Sequence, residues 1–162
     1  MNRRCFLQTS LPLVVGGGFT GHAAAAPLRA NAVGACDDKA AVILAAAGYG
    51  YLELSFSNVV DPRQDDAWFA KQVEKIRAMP LPVEAMNGFL PSSGFRITGP
   101  EANPDAIVEW GKRGFTRAAM LGVKVLTFGS GGARKIPEGF DPAKARAQCS
   151  ALVGRLAPLA KA

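Results

Sequence analysis

From Pro27 onward the chain alternates short β-like runs with longer helix-like ones, and no other feature constrains its fold as much. Strand and helix in strict alternation is the pattern of an α/β fold built on a parallel sheet. The first strand is expected at Ala32–Cys36, and Asp37 or Asp38 can cap a helix through Ala40–Ala47 that Gly48 ends. The second strand is Tyr51–Phe56, followed by a loop through Pro62 and a helix from about Asp66 to Met79, whose apolar stripe is Phe69, Val73 and Ile76. Val83–Asn87 is the third strand. A loop from Gly88 to Asn103, rich in Gly, Pro and Ser, is longer than a plain connection needs and is a candidate site element. Asn103 and Pro104 read as cap and first-turn proline of a helix that buries Ile107, Val108, Gly111, Phe115 and Ala119. The fourth strand, Val123–Phe128, runs into Gly129–Arg134, and a last helix starts near Asp141 and Pro142. The pattern predicts one domain of four β/α units with no linker.

Composition narrows the partners. A chain of 162 residues, 49% hydrophobic and 20% charged, supports one ordinary core and is not disordered by its charge content. The formal charge of +6 includes Arg3 and Arg4, and without them 17 basic residues face 13 acidic ones, a net +4. The basic residues are scattered rather than clustered, so no nucleic-acid partner is expected. Cys36 and Cys149 leave two readings open, a single disulfide or two small buried side chains. The one histidine is His22, so an imidazole base or ligand is not expected from Pro27 onward.

Residues 2–8, Asn-Arg-Arg-Cys-Phe-Leu-Gln, resemble the twin-arginine export signature. A short apolar stretch, Leu11 to Phe19, and then Ala23–Ala26 follow, so residues 1–26 are expected to be a cleaved signal peptide. The apolar run falls short of the ~20 residues a membrane span requires, so no stable membrane anchor is expected and the mature chain is expected to be periplasmic or secreted.

Three segments carry a more specific resemblance: Gly48–Leu54, Pro82–Pro91, and GVKVLTFGSGGARKIPEG from Gly122 to Gly139 with FDPAKARAQ after it. They are similar to one branch of the xylose-isomerase-like sugar phosphate isomerase/epimerase family, over roughly residues 32–162. The resemblance implies a partial TIM (β/α)8 barrel, residues 27–162 forming its N-terminal half with strands in the order 1-2-3-4. It also implies a sugar or sugar phosphate ligand and, in the full-length family, a divalent metal such as Mn, Mg, Co or Zn. Proton transfer beside a carbonyl is the chemistry implied.

In such barrels the active face lies at the strand C-termini. Glu53, between Leu52 and Leu54, must face opposite to both, either toward a polar ligand, into a structural salt bridge, or outward as an exposed edge glutamate. Asn87 ends the third strand and can hydrogen-bond a sugar hydroxyl or cap the turn before Gly88. The Gly129–Gly132 loop, with Ser130 and Gly131, lets backbone amides approach a ligand, and Arg134 can offer a two-pronged donor to carboxylate or phosphate. The same segment also suits a tight turn with a solvated arginine. The family's metal ligands and paired carboxylates come from later strands, and nothing in this sequence matches them. The expectation is therefore a fragment that orients substrate, holds no catalytic metal by itself, and self-associates through its open edges. Two other readings stand beside it: a periplasmic sugar-binding or scaffold module without catalysis, and a small doubly wound domain with an anion at the Gly129 loop.

Overall fold

The computed structural model describes residues 31–33, 38–91 and 93–161. The expectations for the leader at residues 1–26, for a strand continuing to Cys36 and for a cap at Asp37 lie outside them. The chain is α/β. Its elements are β1 (Asn31–Val33), α1 (Asp38–Ala46), β2 (Tyr51–Ser55), α2 (Phe56–Val59), α3 (Asp66–Arg77), β3 (Val83–Asn87), α4 (Pro104–Met120), β4 (Val125–Leu126) and α5 (Pro142–Lys161). The strands pair in parallel in the order β1-β2-β3-β4, with β2 and β3 the longest and β4 contributing two residues.

Alternation sorts the sheet into two faces. Leu52 and Leu54 are 1% and 2% exposed, while Tyr51, Glu53 and Ser55 between them are half-buried. Register carries the same division across strands: Leu54 stands beside Met86 and Met86 beside Leu126, whereas Glu53 stands beside Ala85 and Ala85 beside Val125. The first set is buried at Leu54 and Met86 and half-buried at Leu126. The second ends at Val125, 59% exposed, so this face is open toward the β4 edge. A register shift between Leu52 and Glu53 leaves Glu84 as the extra residue of β3.

Helices α3 and α4 begin where the sequence offers a cap. The Asp65 carboxylate accepts from Trp68 N at 2.7 Å, and Asn103 Oδ1 accepts from Ala106 N at 3.1 Å, with Pro104 opening α4. The α4 stripe buries Ile107, Val108, Trp110, Gly111, Gly114, Arg117 and Ala118. Ala119, expected on that stripe, is exposed, because the helix turns Ala118 rather than Ala119 inward. Gly111 and Gly114 are small for a packing reason. A Cβ at Gly111 would come within 2.9 Å of Leu156 Cδ2 on α5, and one at Gly114 would run into the Phe56 ring.

Phe56 directly follows β2, Phe89 comes two residues after β3, and Phe128 two after β4. Their rings meet, with centroids 5.2 Å apart for Phe56–Phe89 and 5.2 Å for Phe89–Phe128, and Phe115 of α4 stacks on Phe89 at 5.3 Å. This cluster ties the C-terminal ends of three strands to one helix. Phe56 was expected to close the second strand; it opens α2 instead, its ring drawn into this cluster. The fourth strand is shorter than the six residues expected, since its pairing with β3 covers Val125 and Leu126 only.

Candidate functional site

The C-terminal ends of β2 and β3 bring Glu53 and Asn87 together. Ser55 is the direct neighbour of Asn87 in the register, which places Glu53 diagonal to it on the same face. Asn87 Nδ2 donates to Glu53 Oε1 at 3.0 Å. Both side chains are half-buried. Ser55 Oγ and Ser57 Oγ lie 3.5 Å apart at the end of β2, adding hydroxyls to the same end of the sheet.

Ser130 joins from the loop after β4. Its Oγ accepts from Leu90 N at 3.1 Å, three residues beyond Asn87. It is the one described residue other than glycine in the left-handed region, at φ 35°. A serine held there is constrained by its surroundings, here by the Leu90 bond and by Arg134 N donating to Ser130 O at 3.2 Å. Gly131 is exposed, with open space where a side chain would stand. The Arg134 side chain is also exposed. Glu53 and Asn87 are thus in direct contact, Ser130 is tied to the segment following Asn87, and Gly131 and Arg134 sit outward on the loop.

The long segment after β3 is fastened rather than free. Ile97 N donates to Ala133 O at 2.9 Å, Thr98 Oγ1 to Lys135 O at 2.8 Å, and Arg96 donates to Gly132 O at 3.3 Å. The Gln148 amide on α5 closes the junction, accepting from Gly99 N at 2.8 Å and donating to Gly99 O at 2.9 Å. The β3 and β4 loops therefore form one layer over the strand ends. Trp110 adds a further tie, its Nε1 donating to Phe89 O at 2.9 Å.

The strongest electrostatic feature of this end is a network that composition and motif did not reveal. Arg117, 3% exposed, donates to the carbonyls of Asp61, Gln64 and Asp65 at 2.6, 2.9 and 3.1 Å and to Asp66 Oδ1 at 2.7 Å. Arg113 reaches Pro62 O and Asp66 Oδ1 at 2.9 and 2.7 Å, so α4 grips the whole β2–α3 loop. Burial pushes the Asp61 carboxyl up, but the side-chain and backbone hydrogen bonds from Arg63 together hold it below the usual carboxylate value. Asp66 is held low by Arg113 first and Arg117 second. A signal was present in the sequence: Arg117 falls three residues after Gly114 and seven after Trp110, on the apolar stripe, where an arginine must be paired.

Among the described residues no group of three His, Cys, Asp or Glu side chains comes together in a way that could hold a metal ion. Glu53 and Asn87 supply one carboxylate and one amide, too few for a divalent-ion site, and no step through a metal follows from them. Among the described residues no helix is long and apolar enough to cross a membrane. Comparison of the chain with family models, with curated proteins and with solved structures finds no match.

Proposed function

We propose that this chain is four β/α units of a sugar phosphate isomerase/epimerase-like barrel and that its Glu53–Asn87 face orients a sugar or sugar phosphate. The observation that carries the reading is the Asn87–Glu53 hydrogen bond across β2 and β3 on the open face of the sheet. A carboxylate accepts from hydroxyl groups, and an amide both donates and accepts, which is the combination that recognises a polyol. Ser130 Oγ and the Gly131 backbone stand at the same end, and Arg134 is the cation for a phosphate or carboxylate on the substrate.

In the full protein the chemistry is proton transfer beside a carbonyl, which a divalent ion would assist by polarising that carbonyl. Such an ion would take its ligands from residues outside those described. The groups described here bind and orient, and one carboxylate on the face does not make an acid/base pair. That same count favours a second reading, a sugar-binding module that does no chemistry. The leader adds a location: the Arg3–Arg4 pair directs the chain to the periplasm, and changing both to Lys should strand precursor in the cytoplasm.

Calorimetric titration with ketoses and ketose phosphates tests the site. Binding is expected to weaken at least tenfold in Glu53→Gln and Asn87→Ala, with phosphate esters losing further affinity in Arg134→Ala. Equal affinity in all variants would remove the assignment. Epimerase assays on the same preparations separate the two readings, since turnover by this chain alone contradicts a purely orienting role.

A further inference from the structure

One pocket has no place in the site described above. It lies between the end of β2, α2 and α3 and has a volume of about 190 Å³. Gln72, Lys75, Ile76 and Met79 recur at helical spacing on one side of α3, and all four line it. Leu54, Asn58 and Val59 line it from β2 and α2. Ser55, next to Asn87 in the register, also borders it, so the pocket and the Glu53–Asn87 pair are neighbours at the end of β2. Strand β2 is paired on both sides, with β1 and with β3, and α3 is the helix that connects β2 to β3. The walls therefore belong to the interior of the sheet, and a strand added beyond β1 or β4 does not reach them.

The lining divides by chemistry. Leu54, Val59 and Ile76 are buried and make an apolar floor, while Asn58 and Lys75 are exposed and Gln72 is half-buried. Among the described residues the side chains of Asn58, Gln72 and Lys75 make no hydrogen bond or ion pair, and no Asp or Glu lines the pocket. Two amides and one ammonium thus meet over an apolar floor with their donors unspent, which is the composition of a small-ligand site. We propose that this pocket binds a short-chain monocarboxylate, its carboxylate on Lys75 and the Asn58 and Gln72 amides, its carbon chain on Leu54, Val59 and Ile76. One ammonium balances one negative charge. The volume is below the roughly 300 Å³ at which sites for drug-sized ligands begin, so the chain is a few carbons long. Inorganic phosphate would set nothing apolar against the floor, and a neutral sugar would leave the charge of Lys75 unused.

The inference does not rest on the sugar assignment. Titration of the isotopically labelled full chain with sodium butyrate should give saturable amide shifts at Asn58, Gln72, Lys75 and Ile76. Lys75→Gln should weaken butyrate binding about tenfold, and Gln72→Ala severalfold. Both positions are on the solvent side of α3, so far-UV circular dichroism should be unchanged in the two variants. Acetate, two methylenes shorter, should bind severalfold more weakly than butyrate, since it covers less of the floor. Butyramide, of the same shape without the charge, should not bind. Shifts that stay linear with butyrate concentration would overturn the proposal. So would equal binding of butyramide, tighter binding of inorganic phosphate than of butyrate, or a Lys75→Gln protein that binds butyrate as before. Lys75→Gln should leave the ketose phosphate titration unchanged. Loss of ketose phosphate affinity in that variant would make the pocket part of the sugar site and overturn a separate carboxylate site, while butyrate binding without any sugar binding would uphold the pocket and remove the sugar assignment.

Discussion

Arg117 shows how a single side chain sets the geometry of this end of the molecule. Its guanidinium is buried on the face of α4 that packs against the β2–α3 loop, lies over the Phe69 ring at 4.8 Å from the centroid, and serves three carbonyls and the Asp66 carboxylate. Replacing it with Met keeps the volume but leaves those carbonyls without a donor, so Arg117→Met should lower unfolding stability by about 3–5 kcal/mol. Arg117→Lys should lose most of that as well, since an ammonium cannot fork to carbonyls on both sides. Urea denaturation measures both, and a loss under about 1 kcal/mol would place the arginine outside the structural network. The two carboxylates of the network add a pH dependence. Asp61 and Asp66 have folded-state values below their unfolded ones, so their stabilisation is complete above about pH 4 and is lost as pH falls through the depressed native values. The urea midpoint should therefore fall steadily on acidification below about pH 4, and Asp61→Asn should flatten part of that slope.

At the scale of elements, the aromatic residues after β2, β3 and β4 and the bonded loops above them hold those strand ends in place. The Gln148 amide is the link between α5 and the β3 loop, so Gln148→Ala should cost about 1–2 kcal/mol and speed hydrogen exchange at Gly99 and Ile97. Unchanged exchange there would show that the loops are held by other contacts. These elements also mark what the sequence could reveal. Period-two and helical spacing located β2, β3, α3 and α4, and Asn103-Pro104 marked the start of α4, because those signals are local. The ends of β4 and the entry into α2 were not legible, since pairing with one neighbour limits β4 and the ring cluster claims Phe56. The spacing of Glu53 inside its strand was enough to turn it away from Leu52 and Leu54. Its contact with Asn87 depends on a register shift that no local pattern encodes. The fastening of the Gly88–Asn103 segment was hidden for the same reason, its partners lying about 40 residues away.

At the scale of the whole molecule, the parallel sheet has one face that carries the core and another on which the proposed ligand site lies. The core runs from Leu52, Leu54 and Met86 to Ile107 and Leu152. The other face carries half-buried Glu53 and Asn87 at the strand ends, a buried Ala85 between them and an exposed Val125 at the β4 edge. The measurement that tests this directly is an amide chemical-shift map of the isotopically labelled protein during titration with a ketose phosphate. The account predicts saturable shifts centred on Glu53, Asn87, Leu90 and the Ser130–Arg134 turn, lost in Glu53→Gln. Shifts confined to α1 and α5, or no saturable shifts at all, would contradict it.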